Sequence, residues 1–388
     1  LWAQPELPLD ALGATLSWQF TPVAGRPDAI ELKLAKASFA NADLKGEAEA
    51  TWNSGEGDGH GRGARFPGRL VLNARLQNVR AQSVSRYLPL GLSAGVRQHV
   101  HDAVQGGHIR SAAVQLKGDL WDLPFRNPRD GDLRVTLQVQ DLVYAYQPAP
   151  WPAVEHASGE IEFDRLAMTL NRLQGRLWCY ELRDVSGGIP DMSVEHPVLT
   201  LQGQGRGPAA DLLRFARLAP ASPRVGAALE PVSVNGASEL KVTARIPLSP
   251  EVPNTLQGSV QLVGNDLRLQ PDMPALLGAR GSIDVGPQGL AVRGLSARWL
   301  GGDASFDGSI GSDGALRFGA QGVASADALR QWTPLARFAA PMRGQAALRG
   351  TLNVVDGRSD LLLQSNLVGL QIDLPPPLAK PAASTLPL

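Results

Sequence analysis

The sequence has few of the residues that mark crosslinks, charged partners or reaction centres. It has one cysteine, Cys179, in 388 residues, so an internal disulfide framework is excluded. Aromatic residues make up 5%, and 37 lysines and arginines balance 37 aspartates and glutamates. Such a chain has no bulk charge to draw it to nucleic acid or to an anionic membrane surface. We therefore expect no nucleic-acid partner.

Long apolar runs are also missing. No stretch of 18 or more apolar residues occurs, so the sequence predicts no membrane-spanning helix in this chain. The chain opens on Leu1 and shows no charged-then-apolar leader. We expect it to be an excerpt of a longer protein, with any anchor or signal outside it.

Motifs for catalysis or metal binding are weak. The densest histidine group is His99, His101 and His108, with Asp102, and two histidines one residue apart face different sides of a helix. The glycine-rich stretch Ser54–Gly63 lacks the Gly-Lys-Ser/Thr ending of a phosphate loop. Cys179 has no recurring histidine partner, so we expect a buried or partly buried bystander. We predict no enzyme, no metal and no cofactor; a hydrolase with an unrecognised site is the weaker alternative.

Glycine (42) and proline (30) are abundant, and hydrophobic alternation with a period of two is the dominant pattern. It runs through stretches such as "IELKL", "LRVTLQV", "LAMTL" and "SVQL". Such strands have one polar and one apolar face, which is typical of antiparallel sheet. Turn signals such as "NPRDGD" and "GSDG" recur at short spacing. The predicted fold is mainly β: an elongated, curled antiparallel sheet of repeated hairpins with a few short helices.

Helical patterns are confined to short stretches. Two lie between Gln82 and Val104, one spans Gly207–Ala219 and one spans Ser325–Ala339. An N-cap or an early acidic residue is predicted for each stretch. These residues are Ser83, Ser93, Asp211 and Asp327.

The chain also repeats itself. The segments that begin at Leu32, Leu170 and Val292 align without gaps, and Asp43, Glu181 and Asp303 then coincide. A short helical pattern follows each segment. Because the three acids lie far apart in sequence, we interpret them as turn residues and not as a catalytic pair. The repeat predicts approximate modules 1–105, 106–220 and 221–340, with 341–388 as the start of a further one.

Three phrases resemble one family. In chain order these are the region from Tyr87 to Phe125, "LQGQGRGPAADLLRFARLAP" and "LVGLQIDLPPPLAKPA", and they are similar to phrases of the large AsmA-like proteins of the YhdP branch. They depart modestly from it at "DLPF" and at Ala219-Pro220.

The resemblance implies a bridge-type lipid carrier of the Gram-negative envelope. Such a protein is anchored in the inner membrane, lies in the periplasm, reaches toward the outer membrane, and shields phospholipid acyl chains in an apolar groove. It implies no catalytic residue. Small membrane-protein partners are compatible with it, but it does not identify them. The alternatives left open are a structural or assembly scaffold of the envelope and a closed sandwich core without ligand. The groove residues that the alternation predicts are Leu32, Leu34, Val135, Leu137, Val139, Met168, Leu170, Val260, Leu262, Leu290, Val292, Leu370, Ile372 and Leu374.

Overall fold

Antiparallel strands dominate the protein, which confirms the predicted fold class. The computed structural model describes residues 8–89, 92–146, 151–218, 223–249, 254–355 and 358–386. The strands form a 20-stranded sheet. Their bounds are β1 (Ala11–Val23), β2 (Arg26–Ala40), β3 (Lys45–Asn53), β4 (Arg69–Arg80), β5 (Val104–Asp119), β6 (Gly131–Tyr144), β7 (Val154–Asp164), β8 (Ala167–Leu177), β9 (Tyr180–Ile189), β10 (Val198–Pro208), β11 (Ser233–Asn235), β12 (Ala237–Pro247), β13 (Thr255–Arg268), β14 (Leu276–Gly286), β15 (Gly289–Trp299), β16 (Gly302–Gly311), β17 (Leu316–Ser325), β18 (Met342–Val355), β19 (Arg358–Gln364) and β20 (Leu370–Ile372).

The helices are short. Two of the connections hold 3₁₀ helices, Ala81–Tyr87 and Leu120–Asp122. The α-helices are α1 (Ala94–Ala103), α2 (Ala209–Leu218), α3 (Pro223–Leu229), α4 (Ala326–Gln331) and α5 (Ala336–Ala339). All the predicted helical stretches contain a helix, and α3 is an addition that the sequence patterns did not predict. The predicted end at Ala219 lies outside the described residues.

The chain divides into two compact units. Unit 1 comprises residues 1–178, 182–203 and 246–253, and unit 2 comprises 179–181, 204–245 and 254–388. In unit 1, strands β1 to β8 pair in chain order, each antiparallel to the next. In unit 2, β12 to β19 do the same, and β20 pairs with the start of β18. The four sequence modules stay a prediction.

Each meander has two margins because successive connections alternate between opposite ends of the strands. We call the edge with the β4–β5 connection in unit 1 and the β17–β18 connection in unit 2 the helix margin, since each of these connections contains an α-helix. The opposite edge, with the β3–β4 and β5–β6 loops in unit 1 and the β14–β15 turn in unit 2, is the loop margin.

Bulges form a crease across the sheet in each unit. In unit 1 the register shifts near Ile109 on β5, Val139 on β6 and Ser158 on β7. In unit 2 the shifts lie near Val263 on β13, Arg280 on β14 and Val292 on β15. A bulge adds an unpaired residue, bends its strand and increases the local twist. Aligned bulges therefore bend the helix-margin half of each meander relative to its loop-margin half.

A helix start docks on an earlier hairpin turn at three places, in the order that the internal repeat predicts. Asp43 lies in a turn, as interpreted from the sequence. Glu181 and Asp303 are the second residues of β9 and β16, so the interpretation of these two acids as turn residues is wrong. Ser83 is not an N-cap. Arg80 precedes that 3₁₀ helix without a side-chain cap, and the Ser83 hydroxyl donates to Asp43 instead. Ser93 does cap α1, accepting from the Val96 amide. The docking contacts are Ser83 Oγ to Asp43 Oδ1 (2.8 Å), Cys179 N to Asp211 Oδ2 (3.1 Å) and Ser325 N to Leu300 O (2.9 Å).

The proline run at 375–377 turns the chain back on β20. The Ile372 amide donates to the Lys380 carbonyl at 2.9 Å, and the Lys380 amide donates to the Ile372 carbonyl at 3.1 Å. Strand β20 ends at Ile372, so the prediction that it continues through Leu374 is wrong. Proline lacks an amide donor and stops the ladder before Leu374 can join it. Leu374 is 40% exposed.

Candidate apolar groove

One face of the unit 1 meander is apolar across eight strands. Directly opposed residues of antiparallel strands point to the same side, so the register defines rows across the sheet. We call this side the groove face. Its rows are Trp18, Leu32, Trp52, Leu70 and Gly118; Leu16, Leu34, Ala50, Leu72, Leu116 and Leu133; Ala48, Ala74, Val114, Val135, Phe163 and Met168; and Leu12, Phe39, Gly46, Leu76, Ala112, Leu137, Ile161 and Leu170.

The opposite face of unit 1 is polar. Glu160 accepts from Gln138 at 2.6 Å and from Asn171 at 2.9 Å, which links three neighbouring strands. Arg134 lies 3.5 Å from Glu162 and 3.4 Å from Asp164. The sheet is therefore amphipathic, and its groove face is the one that must be kept from water.

The groove face is sealed at the helix margin. Val79, Ile109 and Val139 are at most 6% exposed there, and the 3₁₀ helix packs on this cluster through Val84 and Tyr87. This region is the hydrophobic core of unit 1.

Toward the loop margin the same face is only half-buried. Leu72, Leu116, Val135 and Met168 all keep intermediate exposure, and Leu32 is 37% exposed. A closed sandwich core would bury such leucines and valines almost completely. The loop-margin half of unit 1 is thus an apolar surface that is only partly shielded from solvent.

An aromatic pair lies at the loop margin of unit 1. The rings of Trp52 and Phe66 stack with centroids 5.9 Å apart, and Phe66 is 56% exposed. The Trp52 indole donates to the Pro67 carbonyl at 2.8 Å, which fixes the ring. The groove face therefore ends at a stacked pair of aromatic rings, one of which is held by a hydrogen bond.

Unit 2 has an equivalent apolar face with a different degree of cover. Leu262, Ala279 and Leu295 are at most 3% exposed and form a packed core. Two rows extend toward the loop margin. They are Leu240, Val260, Ile283, Val292, Gly308, Phe318, Leu352 and Leu361; and Val242, Gly258, Val285, Leu290, Ile310, Leu316 and Val354.

Helix α3 covers part of the second row. Val225 and Leu229 on α3 are 3% and 7% exposed and cluster with Ile310 of β16, which is 6% exposed. Leu290 and Leu316 pack beside this cluster. Apolar surface in unit 2 is thus occupied by a segment of the chain itself.

The predicted groove residues are brought together in two separate sets. In unit 1, Leu137, Ile161 and Leu170 share a row, as do Val135, Phe163 and Met168. The remaining residues of unit 1 that were predicted for the groove, Leu32, Leu34 and Val139, lie on the same face. In unit 2, Val260 and Val292 meet across Ile283, whereas Leu262 is core and Leu290 lies beside α3.

The last three predicted groove residues do not join these rows. Leu370 and Ile372 are 3% and 9% exposed and pack with Ala326 and Leu367 in a cluster of their own. Leu374 is exposed beyond the end of β20. The position of Leu370 and Ile372 is set by the pairing of β20 with β18, which hydrophobic alternation alone cannot predict.

Several groove-face residues were missed. Leu70, Leu72 and Leu116 lie in the middle of the rows, and Trp52 lies at their loop-margin end. The signal is present in "RLVLNARLQ", which alternates apolar and polar residues except at Val71.

Burial keeps three tyrosine hydroxyls near the helix margin neutral. Burial raises the pKa of Tyr144 to about 12, and the His99 ring lies 3.0 Å from its hydroxyl. Burial likewise raises the pKa of Tyr87 and of Tyr180 above the ordinary value. These phenols are uncharged at neutral pH and contribute packing and hydrogen bonds.

The described residues offer little for catalysis. No group of three or more His, Cys, Asp or Glu side chains that could hold a metal occurs among them. Cys179 is exposed, so the expectation of a buried or partly buried thiol is wrong. It lies in a hairpin turn between β8 and β9, and turns face solvent. Among the described helices, none is long and apolar enough to span a membrane.

A shallow depression of about 820 Å³ lies over β16–β19 in unit 2. Its lining includes the polar residues Asp303, Ser305, Gln321 and Arg349. Alternation puts these residues on the side opposite the apolar rows. The depression is therefore not part of the groove face.

The fold and the groove face together define a class: antiparallel sheet proteins that leave an apolar face incompletely covered. A family model described as YhdP protein matches residues 1–388. Because the match extends over the whole chain, the chain belongs to the YhdP family, which confirms the resemblance seen in the sequence. No curated protein and no solved structure matches the chain.

Proposed function

We propose that this chain is a periplasmic section of an intermembrane phospholipid transport protein. Its groove faces shield acyl chains in a continuous hydrophobic groove between the inner and outer membranes, and a segment outside this chain anchors it to the inner membrane. The protein has no enzymatic step in this proposal. Its partners are phospholipids and, through other parts of the protein, the two membranes.

The observation that carries the proposal is the half-buried groove face of unit 1. Apolar rows cross eight strands, and their loop-margin residues, such as Leu72 and Leu116, are partly open. Each methylene moved from water onto such a surface contributes about 0.8 kcal/mol. Acyl chains need no directed hydrogen bonds, which fits rows built from apolar residues and glycine. Headgroups can stay hydrated beyond the loop margin.

A charge within the rows tests the proposal. Leu116→Asp places a carboxylate in the middle of the face, where an acyl chain would have to desolvate it. We expect phospholipid in organic extracts of the purified protein, measured by mass spectrometry, to fall strongly. Support of envelope integrity in cells should fall with it.

Gln115→Asp is the matched control, since it adds the same charge one residue away on the polar face. Its lipid content should equal that of the unsubstituted chain. A folded Leu116→Asp variant that keeps its lipid and its support of the envelope would refute the groove and leave the scaffold function. Turnover of phospholipid by the unsubstituted chain would instead reveal a hydrolase.

A further inference from the structure

We propose that helix α3 is a plug in the apolar groove of unit 2, which lipid must displace. This inference rests on the proposed function, because it describes how passage along the same groove is regulated. It begins from the fact that α3 lies on an apolar row.

The contact surface of α3 is the same surface that would hold an acyl chain. Ile310 is paired with Leu290 on β15 and with Leu316 on β17, in a row of the unit 2 apolar face. Val225 and Leu229 bury Ile310. Lipid and α3 therefore compete for one site, and binding of one excludes the other.

The repeat gives an internal comparison. In the aligned segments Leu290 coincides with Ile30 and Met168, and Val292 coincides with Leu32. Ile310 coincides with Ala50, which pairs with Leu34 in unit 1 and keeps intermediate exposure there, whereas Ile310 is 6% exposed under α3. Cover by a helix is thus an addition in unit 2 and not a requirement of the sheet.

Helix α3 depends on outside contacts for its stability. It has seven residues and includes Gly226, and helices of this length are marginal without packing. Arg217 on α2 supplies the polar anchor. Its guanidinium donates to the Leu229 carbonyl at 3.0 Å and to the Glu230 carbonyl at 3.0 Å, and also to that of Val232. These carbonyls belong to the last residue of α3 and to the residues just after it, where a helix leaves acceptors without intrahelical partners.

Arg217 therefore holds the plug in place, and its removal should release the plug while leaving the sheet intact. A photoreactive benzoylphenylalanine is placed at Leu290, beside the plug, or at Leu34, in the open row of unit 1. The full 388-residue chain is irradiated with vesicles of phosphatidylethanolamine and phosphatidylglycerol, and lipid adducts are measured by mass spectrometry. We expect the Leu290 position to capture at least about fivefold less lipid than the Leu34 position, because its competent state is rarely populated.

Arg217→Ala should raise capture at Leu290 and leave capture at Leu34 unchanged. Arg217→Lys keeps the charge but loses the forked donors, so it should give an intermediate result. As a second perturbation, Val225→Cys with Ile310→Cys, in a Cys179→Ser background, ties the plug to β16. Oxidation should abolish capture at Leu290, and reduction should restore it.

The plug is refuted if Leu290 captures lipid as well as Leu34 does in the unsubstituted background. It is also refuted if Arg217→Ala, folded by circular dichroism, leaves Leu290 unchanged. Absence of capture at Leu34 would instead refute the groove function. In that case, maleimide labelling of Leu290→Cys in the Cys179→Ser background still tests the plug without lipid, since Arg217→Ala must speed it.

Discussion

At the residue scale, Lys380 shows how a buried charge is accommodated without an acid. It is 5% exposed, and its ammonium donates to the carbonyls of Leu367 (2.7 Å), Leu370 (2.8 Å) and Pro381 (3.0 Å). A buried ammonium is costly unless each of its donors is paired. Three carbonyls satisfy all three donors and tie the returning segment to β20.

Lys380→Met keeps the length of the side chain but removes the ammonium donor from three carbonyls, of which those of Leu367 and Pro381 keep a backbone donor. We expect local stability of residues 366–386 to fall by about 1–3 kcal/mol. Hydrogen exchange at the amides of Gly369, Ile372 and Leu386, which bond within this segment, should speed up accordingly. Lys33→Met, at an exposed position of β2, is the control and should leave these rates unchanged. Unaltered exchange in Lys380→Met would show that the segment is held by other contacts.

At the element scale, aromatic rings lie over glycines of adjacent strands. A Cβ added to Gly308 would lie 2.4 Å from the Phe318 ring, and one added to Gly46 would lie 2.4 Å from the Phe39 ring. The ring covers the backbone that glycine exposes, as in other strongly bent sheets. Much of the glycine in this chain is thus explained by packing, as well as by turns.

Gly308→Ala should destabilise unit 2 by about 1–3 kcal/mol, since the new methyl group would lie 2.4 Å from the Phe318 ring and 2.5 Å from the Arg317 carbonyl oxygen, and both must move. Gly319→Ala is the matched control on the neighbouring strand, where the nearest atom would be 3.8 Å away. It should be neutral or slightly stabilising, because it restricts the unfolded chain. Chemical denaturation followed by circular dichroism measures both. Equal midpoints for the two variants would contradict the steric explanation.

At the scale of the whole molecule, charge plays little part in the proposed binding. The 37 basic and 37 acidic residues cancel, and the rows of the groove face hold apolar residues and glycine. Lipid uptake by the full chain should therefore change little between about 0.05 and 0.5 M salt, which screens ionic contacts strongly. Uptake from vesicles of phosphatidylethanolamine and phosphatidylglycerol, measured by mass spectrometry, checks this. A steep decrease with salt would indicate headgroup recognition at a basic surface.

Alternation predicted the antiparallel sheet and the side on which Leu34, Val135 and Leu170 lie, because a period of two is a local property of each strand. It did not predict which apolar residues are covered. Leu262 is core and Leu290 lies beside α3 because of the crease and of helices distant in sequence. The exposure of the Cys179 thiol is likewise set by its position in a turn. The short length of β20 is set by its long-range pairing.

The crease has a consequence for the fidelity of folding. A slip of one position would turn every apolar side chain outward, so the alternation itself opposes it, whereas a slip of two positions keeps each side chain on its face. Strands rich in alanine, glycine and leucine distinguish such a two-residue slip only weakly. A bulge adds one residue at a fixed level, so a slipped strand would place that residue opposite a regular pair. The aligned bulges thus fix the register between neighbouring strands, so a repetitive composition can still specify a single pairing.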